Sequence, residues 1–507
     1  MQVVSAVRTI SPQIPRKRYR RGIIPPSNSL EEQQKIVEKL DIHDPGYWRQ
    51  WHLFNSEQQS NDINVTGVWQ QNITGKGVVI ALVDDGIDFT SEDIKDNFFA
   101  EGSHDYNDNV KLPMPRLRED VHGTRCAGEV AAVRNDVCGV GIAYNAKVAG
   151  IRILSKEITD VDEALSLNYG YQDNHIYSCS WGPPDDGQSM EGPHDIVEKA
   201  IVNGVENGRG GKGTVFVFAS GNGGSFDDHC NSDGYTNSIY SITVGSIDRF
   251  NRHPYYSEAC SAMMVVTYSS GGGSFIYTTD IGKNSCTERH GGTSAAAPLA
   301  AGIYALVLSV RPDLTWRDMQ HLTVRSAIPI TEEDESWSKT AAGWMHSNKF
   351  GFGKIDSYQI VEMAKTHQLV GRQVWIEQPF QPVEQRIPNN ELGVNSTVAV
   401  TREMVDHVQF RQLEHITVTV NIDHQRRGDV EVFLISPNHI VSQLAATRKN
   451  DESGDGFRYW RFMTVKHWQV SPLGNWTLNV RDRINPEMTG TFHNWTMKLW
   501  GEGPTVE

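Results

Sequence analysis

The sequence predicts an α/β domain built on a parallel sheet, followed by an all-β sandwich. Between about Gly77 and Val370, short β-branched runs alternate with helical patterns, as expected for parallel strands covered on both faces. After about Gly371 the apolar period switches to two and no long helical pattern follows. That change marks a separate sandwich of roughly 130 residues.

Each predicted strand of the first domain is a short apolar run: Val78–Val83, Lys147–Leu154, Ile176–Trp181, Thr214–Ser220 and Ser241–Ile247. Helical patterns lie between them at 161–171 and 194–207. The most apolar stretch, Ala295–Val310, is shorter than the roughly 20 residues of a membrane span. It carries Pro298 near its start and reads as a buried helix, so no membrane span is expected in this chain. In the sandwich, alternation picks out His415–Ile422, Asp429–Ile435, Trp476–Val480 and Trp495–Trp500.

The chain has 507 residues, enough for two to four domains, and carries a formal net charge of −15. That balance disfavours nucleic acid and anionic membrane as partners and suits a basic substrate. Six cysteines exclude a small disulfide framework but allow one or two bridges. The N-terminal MQVVSAVRTISPQIP lacks the basic and apolar regions of a secretory leader. Five glycosylation sequons, at Asn64, Asn72, Asn395, Asn475 and Asn494, favour an exported protein whose leading segment lies outside this sequence. Residues 1–30 are rich in proline and arginine, and Arg16-Lys17-Arg18-Tyr19-Arg20-Arg21 reads as an exposed, protease-sensitive junction.

Four fragments carry chemistry. Val83-Asp84-Asp85-Gly86 ends a strand with a carboxylate, and His122-Gly123-Thr124-Arg125-Cys126-Ala127-Gly128 opens a helix. Gly292-Thr293-Ser294-Ala295 places a serine at the start of the apolar helix. A serine hydroxyl needs an imidazole to take its proton, and the imidazole needs a carboxylate to fix its tautomer. Ser220-Gly221-Asn222-Gly223-Gly224 supplies an amide that can donate to an oxyanion, with the Ser294 N–H as a second donor. Alone, each fragment reads as a turn or a helix start. Together, in the chain order Asp…His…Ser of subtilisins, they predict acyl transfer.

VDDGID, DVHGTRCAGEVAAV, YSCSWGPPDDG, FASGNGGSFDDHC and HGGTSAAAPLAAG resemble the subtilisin-like proprotein convertases, the kexin branch more than the furin branch. The resemblance runs from about Asp41 to Gly501. It implies a subtilisin-like peptidase domain at 22–370, a β-sandwich P-domain at 371–503, calcium dependence, and cleavage of precursor proteins after Lys-Arg or Arg-Arg. By position it assigns Asp84, His122 and Ser294 as the triad and Asn222 as the oxyanion donor. Asp185 and Asp233 match the pocket for the arginine before the scissile bond. Asp85, Glu119 and Asp120 match contacts to the second basic residue, and Glu163 and Glu191 those to a residue further upstream. Carboxylates are the partners a desolvated guanidinium requires.

The same resemblance places one calcium ion at Asp44 and Asp93 with the loop Val133, Asn135 and Val137, and another at Asp185, Asp228 and Glu258. Several oxygens spread over loops suit that ion. A third site beginning at Asp105 is not expected, because Val110 and Leu112 stand where carboxylates belong. The resemblance pairs Cys138 with Cys286 and Cys230 with Cys260, leaving Cys126 and Cys179 free. Bridges imply an oxidising compartment, and the family implies the secretory pathway at the late Golgi or trans-Golgi network. Residues 1–21 are then expected to be the tail of a pro-region, a transient inhibitor removed by self-cleavage after Arg21. The competing readings are a broad-specificity subtilase and an inert subtilase serving as a binding module through Arg427-Gly428-Asp429.

Overall fold

The computed structural model describes residues 27–505. The expected self-cleavage junction lies outside them. Seven strands form one sheet: β1 (Val79–Asp84), β2 (His104–Asp105), β3 (Lys147–Arg152), β4 (Ile176–Cys179), β5 (Val215–Ala219), β6 (Ser241–Ile247) and β7 (Val265–Tyr268), in the spatial order β2-β3-β1-β4-β5-β6-β7. All pairings are parallel. Every residue of β1 is buried, because both faces are covered.

Side-chain alternation along β1 decides what each face meets. Ile80 and Leu82 share a core with α3 (His122–Ala131) and α6 (Thr293–Val310). Val79, Ala81 and Val83 face α4 (Asp160–Ser166) and α5 (Asp195–Gly211). Helix α5 leaves helical dihedrals at Gly208, so its regular part ends where the sequence pattern predicts. The apolar run expected as a helix is α6, buried over nearly its whole length, with Pro298 in its early turns where the missing N–H is tolerated. Its length and composition would suit a membrane span, but its burial makes it the core of this domain.

Helices α1 (Ser27–Leu40) and α2 (Thr66–Trp69) precede the sheet. The hairpin β8 (Ile276–Thr279) with β9 (Cys286–His290) leads into α6. A small ribbon, β10 (Ser338–Lys339) with β11 (Met345–His346), and helices α7 (Trp316–Ser326) and α8 (Ser357–Thr366) complete this part.

From Gln373 onward the chain is antiparallel. One sheet runs β12 (Gln373–Glu377), β20 (Gly490–Glu502), β15 (Gln412–His424), β18 (Phe457–Thr464), with β13 (Gln381–Arg386) also on β20. The other runs β14 (Val394–Val400), β19 (Gly474–Asp482), β16 (Val430–Ile435), β17 (Val441–Ala445). No helix is predicted from the sequence pattern at α1, α2, α7 or α8, nor in the sandwich, where α9 (Arg402–Val408) is started by Thr401, whose side chain accepts from the Met404 N–H.

The two parts share buried surface. Met463, Val465 and Trp468 of the sandwich pack into the core of the first domain. Asn231 meets the β18 backbone from both ends of its amide, donating to Met463 O (3.0 Å) and accepting from Met463 N (2.9 Å).

Candidate active site

The site stands where the carboxyl ends of the parallel strands meet two helix starts, the usual place for ligands in such sheets. Asp84 is the last residue of β1 and is buried; His122 is the first residue of α3. Nδ1 of His122 lies 2.8 and 2.9 Å from the two Asp84 oxygens. Burial pulls the imidazole's pKa down, but Asp84 and the neighbouring Cys126 outweigh it and hold the pKa well above the ordinary value.

Ser294 is the second residue of α6, after Gly292 at φ 76°, a left-handed conformation that glycine accepts without strain. Asn222 follows β5, and its Oδ1 accepts from Thr293 N (2.8 Å) and Thr293 Oγ1 (3.0 Å). With the oxygen end of the amide committed, its NH2 is the end left for a ligand. Asn222 and Ser294 line one cleft together with Asp185, Asp228, Asp233 and Glu258.

That cleft is acidic at its base. Asp185 is exposed and Asp233 half-buried; desolvation pushes Asp233 up to about 7. Glu258 and Asp228 are neighbouring carboxylates whose pKa values are raised, first by desolvation. Asp228 accepts from Gly187 N (2.9 Å) and His229 N (2.9 Å), and Glu258 accepts from Gly223 N (3.0 Å). Three carboxylates whose nearest basic group is Arg448, 3.7 Å from Asp228, are a donor set that fits a hard divalent cation.

The other proposed ion site lies away from the cleft. Asp44 and Asp93 are both buried, and burial raises them to about 6 and about 7. Among the described residues Oδ2 of Asp44 is buried with no hydrogen-bond partner, an uncompensated oxygen that a cation would satisfy. Asn135 bridges the pair, its N–H donating to Asp44 (3.0 Å) and its Nδ2 to Asp93 (3.3 Å). Val133 donates its N–H to Asp93 O, and Val137 its N–H to Asn135 Oδ1.

Several expected substrate contacts are differently engaged. Asp120 is buried: its Oδ2 accepts from Arg116 N, Leu117 N and the Arg152 guanidinium, and its Oδ1 from Ser155 Oγ. Both Asp85 oxygens accept from the start of α3, at His122 N (2.9 Å) and Gly123 N (2.7 Å). Desolvation, with Asp84 beside it, pushes Asp85 up to about 7. Glu119 and Glu191 are exposed, and Glu163 accepts from the Tyr235 hydroxyl. Near Asp105, the buried Arg152 guanidinium bonds Asp105 and Asp108, so a cation already stands where the third ion was not expected.

Cys138–Cys286 and Cys230–Cys260 are bridged, and Cys126 and Cys179 are free and buried. Sequence reasoning missed His290, whose Nε2 lies 3.6 Å from Cys126 Sγ and 3.1 Å from the buried Glu129. Ligand atoms of His122, Cys126 and His290 lie within 4.8 Å of one another. The only sequence signal for His290 was its place just before the serine motif. Arg427-Gly428-Asp429 is buried in a 3-10 turn, and a Cβ at Gly428 would lie 2.1 Å from Arg448 O. This tripeptide is a structural turn.

A parallel α/β sheet presenting aspartate, histidine and serine in that chain order defines the subtilase class. Residues 75–353 match the family described as "Subtilase family", and residues 413–499 match "Proprotein convertase P-domain". The chain is 54% identical over 475 residues to "Protease KEX1" of Kluyveromyces lactis, covering 94% of this chain and 63% of that protein. It is 51% identical over 480 residues to "Kexin" of Saccharomyces cerevisiae, covering 94% and 59%. The chain thus spans about three fifths of the length of these relatives. A crystal structure of Aeromonas sobria serine protease with its chaperone superposes with a TM-score of 0.81 at 22% identity, covering 91% of this chain and 96% of that one, and shares the fold. The chain belongs to the subtilase family, among its kexin/furin-like proprotein convertases.

Proposed function

We propose that this chain is a calcium-dependent serine endopeptidase that cleaves precursor proteins after paired basic residues in the secretory pathway. The observation that carries the reading is one cleft holding Ser294 and Asn222 beside Asp185 and Asp233. A nucleophile next to an anionic pocket selects a basic side chain before the scissile bond. A relative 50% identical over 496 residues, the "Dibasic-processing endoprotease" of Schizosaccharomyces pombe, supports the same substrate class.

In the proposed mechanism, Ser294 Oγ attacks the scissile carbonyl carbon while His122 Nε2 takes the hydroxyl proton. Asp84, on Nδ1, fixes the tautomer that leaves Nε2 free and stabilises the imidazolium. Asn222 Nδ2 and the Ser294 N–H, unpaired at the helix start, donate to the oxyanion. Collapse breaks the C–N bond, and His122 returns the proton to the leaving amine. Water then hydrolyses the acyl ester by the same proton path. Calcium, when bound at Asp185, Asp228 and Glu258 or at Asp44 and Asp93, would neutralise these carboxylates and order the loops that bear them.

The full secreted chain, made with a complete pro-region, is to be assayed on peptides ending in Lys-Arg or Ala-Leu before a reporter. Cleavage of the Lys-Arg peptide alone, dependent on calcium and lost in Ser294→Ala, is the expected result. Equal cleavage of both would leave a general subtilase, and silence from a folded protein would defeat the enzymatic reading.

A further inference from the structure

The turn that follows Asp185 presents four consecutive backbone carbonyls to the sandwich domain, and each is met by a side chain from it. Asn450 Nδ2 donates to Asp186 O (3.3 Å), Arg448 Nε to Gly187 O (3.2 Å), Arg427 to Gln188 O (2.7 Å) and Arg448 to Ser189 O (2.8 Å). Arg448 and Arg427 are nearly fully buried, and Asp451 accepts from Arg427 Nε (2.7 Å). Burying two guanidiniums is unfavourable unless their donors and charge are met; here backbone oxygens of the opposite domain accept from both, as one does from Asn450, and Asp451 and Asp228 supply the counter-charge.

This turn borders the cleft. Asp185 precedes it, Gly187 N holds Asp228, and Ser189 lines the cavity with Ser294. The opposite wall is gripped from the same side, since Asn231, two residues before Asp233, pairs with the Met463 backbone. By contrast Arg461, which also crosses the seam, meets Glu198 (2.7 Å) on α5 rather than the turn.

We propose that Arg448 and Arg427 are positioning residues for the basic-side-chain pocket, so that discrimination at this site is held from the second domain. A carboxylate pairs most strongly and most specifically with a guanidinium when two parallel hydrogen bonds are aligned. A turn freed from these donors would let Asp185 rotate and keep the negative charge while losing the alignment. The penalty should then fall on arginine recognition rather than on acyl transfer. This inference rests on the proposed endopeptidase reading. The wild-type comparison below separates the two: if the wild type does not prefer arginine, that reading fails first.

The test measures kcat and KM on two peptides differing only by arginine or the neutral isostere citrulline at the residue before the scissile bond. Full-length wild type, Arg448→Lys, Arg427→Met and Arg461→Met are compared. Arg448→Lys keeps the charge and stem but loses the forked donors, so it tests the geometry with little risk to folding. The expected result is at least a tenfold fall in the arginine-to-citrulline ratio for Arg448→Lys and Arg427→Met. It should arise mainly in KM, with Arg461→Met retaining the wild-type ratio. Hydrogen exchange at Gln188 and Ser189, whose N–H groups bond Asp186 Oδ1, should quicken in the same two variants and not along β5. An unchanged ratio in folded Arg448→Lys, or an equal fall in Arg461→Met, would overturn the proposal.

Discussion

Arg317 on α7 and Glu414 on β15 form a forked ion pair across the seam between the two domains, with Arg317 Nε 2.9 Å from Glu414 Oε2 and both side chains buried. His321 adds a third contact to the same carboxylate at 2.8 Å. Burial would raise the Glu414 pKa, but the Arg317 guanidinium and the hydrogen bonds from Arg317 and His321 outweigh it and hold the carboxyl far below its ordinary range. The sandwich is therefore locked to the peptidase-like part by charge as well as by apolar packing.

Glu414→Gln should destabilise the whole chain by about 3–5 kcal/mol, since it strands Arg317 without its counter-ion. The folded pKa is depressed below the unfolded value of about 4.3, so the contribution is complete above that value and is lost as pH falls toward the folded one. Denaturant titration should show the full gap at neutral pH and a narrowing gap only below about pH 4. A gap that already closes at pH 6 would refute the assignment.

Mild acid should weaken the fold through its histidines. Burial pushes His52, His229, His346, His415 and His467 each down to about 3. Unfolded histidines take up protons below about pH 6.5, whereas these stay neutral in the fold. The unfolded chain then binds more protons, and stability declines as pH falls from about 6.5 toward 3. Tm should be level above pH 7 and drop steadily between pH 6.5 and 4.5; a level profile down to pH 5 would contradict this.

Asn222→Ala should lower kcat by about a hundred- to a thousandfold with little change in KM, the usual loss for one oxyanion donor. Thr293 would lose an acceptor as well, so thermal unfolding should accompany the kinetics. A KM effect with intact kcat would mean that the amide binds ground-state substrate instead.

Calcium should raise Tm, and Asp44→Asn should remove part of the rise. An ion present at a hundred times its Kd adds about 2.7 kcal/mol. Differential scanning calorimetry with calcium and with a chelator reads this without substrate. Identical curves for the wild type would argue against occupancy of either carboxylate set.

The catalytic candidates were legible because each sits at the junction of a local pattern: Asp84 ends an apolar run, and His122 and Ser294 open helices. The fates of Asp120 and Asp85 were not. That one carboxylate pairs with Arg152 and the other with a helix start depends on partners distant in sequence or supplied by the backbone. The seam was equally silent, since Arg448 and Arg427 look like ordinary surface charges until the 186–189 turn is brought against them. Helix α9 was missed because seven residues hold too few turns for an amphipathic period to show.

The bridge from Cys138 to Cys286 closes a ring whose ends are 148 residues apart in sequence. Asp185, Asn222 and Asp233 lie inside that ring, Asp84 and His122 ahead of it, and Ser294 just beyond its closure. A single backbone scission anywhere within the ring leaves the fragment bearing the histidine covalently tied to the fragment bearing the serine. Autolytic nicks there would be invisible on a non-reducing gel and would release two pieces only after reduction. A chain so wired can be cut once within this ring without parting His122 from Ser294.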